Sequence, residues 1–580
     1  MSTHPTHTPP QPQPQAQAQA QTSKALASSL LSECTTLLSE LTFLQSHLAS
    51  LEKPNLVELR QFKSFVQSEL KSLEKLAEQA AKTATPVDGD GTGAESNNNE
   101  DDDGELDEAE VRVLHSLRSS NLPFYSAVWK VGKTECTGLV AFSKRFYWYK
   151  SKRPVSAGGG IGQAADSDIT RSLHGLQVSG DESKVVDDQA KSDLQKRSVL
   201  VDIVADNGEE WVKVSTITPS RLLFELAKRG WEMGYDSGSE NGGSEDAEEP
   251  YRLQNDDSGD DDEDEIELVR LAMDMKKAAE LVRVRYRHPR IRFVLPKIIE
   301  GKTHEIDAII KEIRKVGVIV ECGADPEDGT EHASTSNGTN GHQPPKPLED
   351  LLPVLLPDPH PHMTSTLNVD CTLLLALVSD LSHYHHIDPS PSHHRAIRRQ
   401  IELETKQPLV PSELWPAMGN RHLVCTQEAA KRMNEIVDTI GTPTERTRTK
   451  LIMGQMDKPL PREDIVSQFQ ELSDHSVPLD WNLPIKVVDA QVEIESGWKD
   501  GRLTGPAQIV ASQLSDINRS VFLYGWVTCL MTISSNRTVA KQIEVLVEEN
   551  RNGDDDLAGP LVWVCDTARS LVGKDSNRKP

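Results

Sequence analysis

Two consecutive runs of apolar residues near the N-terminus recur at three- and four-residue steps, the spacing of one face of an α-helix. The first run consists of Leu30, Leu37, Leu41, Leu44, Leu48 and Leu51, and the second of Leu59, Phe62, Val66, Leu70, Leu73 and Leu76. Pro54 lies between the runs and cannot continue a helix, so the pattern predicts a helical hairpin of the coiled-coil type over residues 24–82. Such a stripe is more often the hairpin's own buried face, although a protein partner could dock along Lys24–Lys82.

Strand-like and helix-like segments alternate between residues 111 and 323, which predicts an α/β module. Strands are expected at Phe124–Trp129, Gly138–Phe142, Phe146–Tyr149, Val199–Val204, Trp211–Val214, Arg290–Leu295 and Val316–Val320. Helices are expected at Pro219–Arg229, Ile266–Tyr286 and Glu305–Lys315. The last two strands, with the helix between them, predict a β-α-β unit.

Composition and charge indicate that part of the chain is unstructured. Apolar residues make up 36% of the 580 residues, and 63 basic against 90 acidic residues give a formal charge of −27. Much of the acidic excess lies in Glu100–Glu110 and between Glu240 and Glu267, and runs of this density are typical of disordered, solvated segments. The acidic balance argues against a general nucleic-acid coat protein.

These shifts in composition predict the domain organisation of an α/β multidomain protein. In chain order we expect a disordered Pro/Gln/Ala tail (1–23), the helical hairpin (24–82), an acidic linker (83–110), the α/β module (111–323) with disordered inserts near 151–197 and 236–264, a linker (324–348), and a C-terminal α/β domain (349–580).

The seven cysteines form no C-x-x-C pair, which favours free thiols in a reducing compartment over disulfides or a zinc ribbon. The N-terminus has no apolar core of a secretory signal, and no apolar stretch approaches the roughly 20 residues of a membrane helix. We therefore expect a cytoplasmic or nuclear protein that has no contact with a membrane.

Two segments of the C-terminal domain place a carboxylate close to the end of a predicted strand. The strand Leu367–Val369 ends at Asp370 and continues at once into an apolar helix, and the strand His422–Thr426 precedes the helix Gln427–Ile440, which carries Glu428 and Glu435. Mg²⁺ and Mn²⁺ prefer hard oxygen ligands, and two-metal phosphodiester cleavage needs several converging carboxylates. Asp370 is therefore a candidate metal ligand, or alternatively the N-cap of the helix.

This arrangement resembles that of PIN-like nucleases, which are three-layer α/β domains that cleave RNA with Mg²⁺ or Mn²⁺. The resemblance implies catalytic roles for Asp370 and for Glu428 or Glu435, although Lys431 and Arg432 occupy the expected place on the helix. It also implies a third carboxylate, at the place where Trp526 stands in this sequence. Asp566, which follows the strand-like Leu561–Cys565, could compensate as a metal ligand or merely cap a turn.

Two further clusters carry alternative interpretations. The histidines of His383–His386 and His393–His394 could bind Zn²⁺ or Ni²⁺, but their Pro- and Ser-rich surroundings favour a solvated loop. Five clustered arginines could follow an RNA backbone, with the odd-numbered ones on one face if their segment is a strand, or they could simply offset the adjoining acidic run or solvate a helix end. They are Arg283, Arg285, Arg287, Arg290 and Arg292.

Taken together, the hairpin, Leu200–Val204, Glu210–Val214 and Leu367–Thr372 resemble a eukaryotic family built around the domain of unknown function 1308. Thr442–Arg446 and Thr532–Arg537 share the resemblance, and the inserts are typical of fungal members. The resemblance implies a PIN-like C-terminal domain and no established activity. We therefore expect a non-catalytic scaffold that binds protein or RNA, with a metal-dependent ribonuclease as the alternative.

Overall fold

The computed structural model describes residues 22–51, 55–83, 108–151, 194–228, 266–324, 346–387, 394–565 and 567–572. The predicted tail and most of the predicted linkers and inserts lie outside these ranges, as do Asp566 and His393. The chain divides into two units. Unit 1 comprises residues 1–146, 200–273 and 291–357, and unit 2 comprises residues 147–199, 274–290 and 358–580.

The elements before residue 357 are helices and a five-stranded sheet. In chain order they are α1 (Ser23–Ser50), α2 (Arg60–Thr83), α3 (Glu108–Arg118), α4 (Leu122–Thr134), β1 (Ala141–Ser151), β2 (Leu194–Ala205), a 3₁₀ turn (Asp206–Gly208), β3 (Glu210–Val214), α5 (Pro219–Lys228), α6 (Glu267–Ala279), β4 (Arg290–Leu295), α7 (His304–Lys315), β5 (Ile319–Cys322) and α8 (Leu348–Leu355). The sheet order is β1-β2-β3-β4-β5, with β2 and β3 antiparallel and β4 and β5 parallel. The predicted β-α-β unit is therefore confirmed.

The leucine stripe of the predicted hairpin is buried. Leu41 and Leu44 of α1 and Phe62 and Val66 of α2 are at most 1% exposed. The two helices pack against each other and against α3 and α4. The apolar face of the hairpin therefore belongs to the core of unit 1.

Several predicted elements in this half of the chain differ from the structure. The two strands predicted at Gly138–Phe142 and Phe146–Tyr149 are one strand, β1. The aromatic segment Phe124–Trp129 is a helix, because Pro123 suits a first helical turn and the buried Val128 and Trp129 lie on one face. Helix α6 ends at Ala279 and not at Tyr286. His288 Nδ1 lies 3.0 Å from the carbonyl oxygen of Ala279 at this helix end. The last strand begins at Ile319 rather than Val316.

The elements after residue 357 surround a parallel sheet. They are β6 (Thr366–Val369), α9 (Cys371–Val378), α10 (Asp380–His383), α11 (Arg395–Lys406), a π-helical turn (Val410–Leu414), α12 (Trp415–Met418), β7 (His422–Thr426), α13 (Gln427–Ile440), α14 (Pro443–Ile452), α15 (Arg462–Gln470), β8 (Lys486–Val488), α16 (Ala490–Lys499), α17 (Gly505–Gln513), α18 (Asp516–Val527), β9 (Met531–Ser534), α19 (Arg537–Glu549) and β10 (Val562–Val564).

The order of the strands locates the place where a site can form. All pairs in the sheet β10-β9-β6-β7-β8 are parallel. From β6 the chain moves outward to β7 and β8, then returns to the other side of β6 for β9 and β10. Ligands of open parallel sheets bind at such a reversal, beyond the carboxyl ends of the strands. Here that point lies between β6 and β9.

Helix α9 shows why this part of unit 2 is firmly built. Leu373, Leu374 and Leu377 are at most 1% exposed, and a helix that is apolar all round is one that is covered on every side. Within the described ranges, no helix is both long and apolar enough to cross a membrane.

Candidate functional site at the carboxyl edge of the parallel sheet

Asp370 lies at the carboxyl end of β6, at the reversal point. It occupies the N-cap position of α9, but its side chain accepts no capping hydrogen bond from the backbone amides of that helix. Instead Asp370 Oδ2 accepts hydrogen bonds from Thr372 Oγ1 and Ser534 Oγ, both at 2.7 Å. The residue is 2% exposed. Asp370 therefore links the end of β6 to the end of β9 through hydroxyl groups.

Hydroxyl and amide groups follow β9 where a carboxylate was expected. Ser534 Oγ accepts a 3.0 Å hydrogen bond from the amide of Asn536. The amide of Ser535 donates to Thr372 Oγ1 at 3.2 Å. Asn536 caps α19 by accepting from the amide of Val539. These neutral groups surround Asp370 and add no charge with which to hold a cation.

Trp526 does not occupy the strand end at which it was expected. It lies in α18, the helix that precedes β9, and its Nε1 donates a 3.0 Å hydrogen bond to the carbonyl oxygen of Ala558. Its predicted position is therefore wrong. The apolar residues of α18 continue almost without interruption into β9, so the sequence pattern does not show where the helix ends and the strand begins. The residues at the end of β9 are Ser534, Ser535 and Asn536.

The two candidate glutamates lie at different depths. Glu428 is in the first turn of α13, and its buried Oε2 has no hydrogen-bond partner among the described residues. Glu435 is seven residues along the helix, about 10 Å further on at 1.5 Å per residue. There it is exposed and pairs with Arg432 at 3.4 Å. Asp566, the last candidate ligand, lies outside the described residues.

The described donors do not fit a catalytic pair of divalent cations. Mg²⁺ and Mn²⁺ sites of that kind use several convergent carboxylates. In the part of the chain that the structure describes, no group of three or more His, Cys, Asp or Glu residues could hold a metal ion. The neighbouring thiol is also unsuited to attack, because burial and Asp370 raise the pKa of Cys371 to about 12.

A second polar network of unit 2 was not predicted from the sequence. Arg448, which is 0% exposed, donates from Nη1 to Asp380 Oδ1 at 2.6 Å and to the carbonyl oxygen of Val378 at 3.0 Å. Its Nε and Nη2 both donate to the carbonyl oxygen of Leu472. Asp380 also accepts hydrogen bonds from the hydroxyl groups of Thr442 and Thr444.

Glu445 extends this network to the C-terminal segment. It is 0% exposed, and its Oε1 accepts from the amides of Asp380 at 3.1 Å and Val572 at 3.2 Å. Burial raises the pKa of its carboxyl group. Thr442 and Glu445 form a reciprocal capping box at the start of α14. That capping box was the available sequence signal, since Ser/Thr followed three residues later by Glu is its signature.

The odd-numbered arginines do not lie on a strand, so the prediction that they share one face of a strand is wrong. Arg283, Arg285 and Arg287 belong to a turn after α6, and Arg290 and Arg292 belong to β4. Arg283 pairs with Glu548 at 3.1 Å and with Asp555. Arg292 is 6% exposed within unit 1 and pairs with Glu321 and Glu210. Arg283 and Arg292 are therefore engaged by carboxylates of their own units.

One family model matches part of unit 2. Residues 367–473 match the family described as "Protein of unknown function (DUF1308)". The matched segment begins in β6 and includes Asp370, Asp380 and Arg448. No curated protein and no solved structure matches the chain.

Proposed function

We propose that unit 2 is a PIN-like domain that acts as a non-catalytic scaffold and binds a protein partner. One observation carries this proposal. The carboxylate at the reversal point is engaged by two hydroxyl groups, and neutral Ser534, Ser535 and Asn536 follow the adjacent strand. Among the described residues, this arrangement can position chain segments, but the groups bonded to the Asp370 carboxylate are neutral, whereas sites for paired divalent cations use several carboxylates.

The charges of the chain favour a protein partner over RNA. Binding to RNA depends on free basic groups that neutralise phosphates. Arg283 and Arg292 are engaged by carboxylates, and the formal charge of the chain is −27. RNA binding by Arg285, Arg287 and Arg290 is the less favoured form of the scaffold.

RNA cleavage is the direct test of the non-catalytic role. Full-length protein is incubated with labelled single-stranded RNA and Mn²⁺, beside Asp370→Asn. The matched control is Asp489→Asn, because Asp489 is also an N-cap aspartate in unit 2. We expect no cleavage by any of the three proteins. Fluorescence anisotropy with the same RNA should show only weak binding that salt abolishes.

The ribonuclease alternative rests on a specific feature, the buried Oε2 of Glu428 that has no partner among the described residues. An unpaired buried carboxylate oxygen is costly, and a cation would relieve that cost. Mn²⁺-dependent cleavage that Asp370→Asn and Glu428→Gln both abolish, and that Asp489→Asn retains, would replace the scaffold with the nuclease.

The hairpin 24–82 remains a candidate docking element, but only through its exposed side. Deleting it would uncover the core of unit 1, so a surface variant is the better probe. Phe43 of α1 is 37% exposed. We expect Phe43→Glu to lose a partner that co-purifies with the full-length protein. Phe224→Glu serves as the control, since Phe224 is 57% exposed on α5; the same partners with both variants would exclude the hairpin.

A further inference from the structure

Two segments of unit 2 are joined side by side near Arg448. The carbonyl oxygen of His383 accepts from the amide of Asp474 at 2.8 Å, and Asp474 Oδ2 accepts from the amide of His385 at 2.9 Å. The imidazole of His383 lies 3.0 Å from Ser473 Oγ. We call these residues, 383–386 and 473–475, the histidine contact. Its two parts are about ninety residues apart in the chain, so only tertiary structure holds them together.

Two imidazole rings face each other in the histidine contact. His385 Nε2 lies 3.2 Å from His475 Nδ1, and the ring planes are inclined at 71°. A hydrogen bond between two imidazole nitrogens needs one N–H donor and one lone pair. Only one proton can therefore lie between the rings.

The burial of His475 indicates which of the two nitrogens carries that proton. His475 is 9% exposed, and its Nε2 is buried with no hydrogen-bond partner among the described residues. A buried lone pair is easier to tolerate there than a buried unpaired N–H. We therefore assign the shared proton to His475 Nδ1, which donates to His385 Nε2.

Arg448, Asp380 and Asp474 are charged groups close to the histidine contact. Arg448 lies 5.1 Å from the ring of Tyr384 and is paired with Asp380, which offsets its charge. Asp474 accepts a hydrogen bond from the amide of His385, and its negative charge acts on His475. His386, the remaining imidazole of the segment, is exposed. Burial, followed by the neighbouring His385, lowers the pKa of His475.

We propose that the His385–His475 pair is an acid-sensitive latch that keeps residues 383–386 against residues 473–475. A proton added to His385 Nε2 faces the N–H of His475. The pair can then remain in contact only if His475 moves its own proton to the buried Nε2, where no acceptor lies within the described residues. Either state weakens the contact. Acidification therefore weakens the attachment of the two segments to each other.

Opening the latch also reaches the network of Arg448. The carbonyl oxygen of Leu472, adjacent to Ser473, accepts two hydrogen bonds from Arg448. Separation at residues 473–475 loosens this acceptor while leaving Asp380 paired with Arg448. Opening of the latch thus exposes the surface at the end of the segment 367–473. This property does not depend on the proposed scaffold role.

Hydrogen–deuterium exchange of the full-length protein tests the latch. Protection factors for peptides covering 381–387 and 471–478 are compared at about pH 7.5 and about pH 5.5, after correction for intrinsic exchange chemistry. We expect wild type to lose about tenfold in protection at the lower pH in these two peptides, the effect of about 1.4 kcal/mol. Any loss in peptides from β6 and β9, which reports destabilisation of unit 2 as a whole, should be smaller than the loss in these two peptides.

Gln variants separate the latch from general acid instability. His385→Gln and His475→Gln each remove one of the two rings, so the pH-dependent loss in excess of that in β6 and β9 should disappear in both. His422→Gln is the control, since His422 is an exposed residue of β7 and its loss should leave the wild-type response. Variants that are already unprotected at pH 7.5 are replaced by His385→Asn and His475→Asn. Equal protection of wild type at both pH values, or the same loss in the Gln variants, overturns the latch.

Discussion

Arg448 is the residue at which the polar network of unit 2 converges. Its guanidinium is fully buried and has acceptors on two segments: Val378 with Asp380, and Leu472. Removing one partner of a buried charge pair leaves the other charge uncompensated, which is far more damaging than losing a surface pair. The stability of unit 2 should therefore depend on this one side chain.

We expect Arg448→Met to lower the free energy of unfolding by about 3–5 kcal/mol, because Asp380 stays buried without its partner. Arg432→Met is the matched control. It removes an exposed pair with Glu435 and should cost about 0–1 kcal/mol. Scanning calorimetry of the full-length variants measures both. Equal small changes would mean that the hydroxyl groups of Thr442 and Thr444 satisfy Asp380 without the arginine.

His383 should make the stability of unit 2 depend on pH. Burial, followed by the charge of Arg448, lowers the pKa of His383 to about 3, whereas an unfolded histidine titrates near 6.5. The unfolded state therefore binds more protons below pH 6.5, and stability falls as the pH falls through that value. Between about pH 7.5 and about pH 5.5 the loss from this residue should be about 1.4 kcal/mol.

The variant His383→Gln isolates that contribution. It lacks the titrating ring, so its free energy of unfolding should fall by about 1.4 kcal/mol less than that of wild type over the same interval. Urea unfolding at the two pH values gives the difference. The comparison concerns the pH dependence and not the absolute stability, which the substitution also lowers. Identical pH dependence in both proteins would show that His383 protonates freely when folded.

At the scale of elements, an acidic side chain of α1 makes polar contacts with α4. Glu40 of α1 accepts a hydrogen bond from Trp129 Nε1 and pairs with Lys133 at 2.8 Å. Trp129 is 3% exposed. Without the Glu40 carboxylate, its buried indole N–H would therefore have no acceptor.

Glu40→Ala should therefore lower the free energy of unfolding by about 1–3 kcal/mol, the usual penalty for an unsatisfied buried donor. Glu33→Ala, an exposed position of the same helix, should stay within about 0.5 kcal/mol. Chemical unfolding of the two full-length variants measures the contrast. If Glu33→Ala lowers the free energy of unfolding as much as Glu40→Ala does, the effect comes from the helix propensity of α1 and not from the contact with Trp129.

Local sequence patterns predicted helices and strands correctly where an apolar run and the residues that bound it indicated the same element. The strand before Asp370 and the strand and helix at 422–440 follow from short apolar runs bounded by caps,. Phe124–Trp129 was predicted as a strand because its residues favour strands, yet packing against the hairpin makes it helical. Trp526 was misplaced because only hydrogen bonding distinguishes the end of α18 from the start of β9.

At the scale of the whole molecule, the candidate site is assembled from distant parts of the chain. Asp370 and Ser534 are 164 residues apart and meet only because β6 and β9 are neighbours in the sheet. The network of Arg448 joins segments around residues 380, 448 and 472. The sequence therefore predicted Asp370 as a candidate, while its hydroxyl partners and the Arg448 network required the fold.

Mn²⁺ binding tests the central claim, that the carboxyl edge of this sheet holds no catalytic cation. Titration of full-length wild type, Asp370→Asn and Asp566→Asn by isothermal calorimetry compares their affinities and stoichiometries. We expect the three proteins to show the same weak binding, contributed by acidic runs such as Asp260–Glu265. A tight stoichiometric site in wild type that Asp370→Asn and Asp566→Asn both abolish would contradict the scaffold.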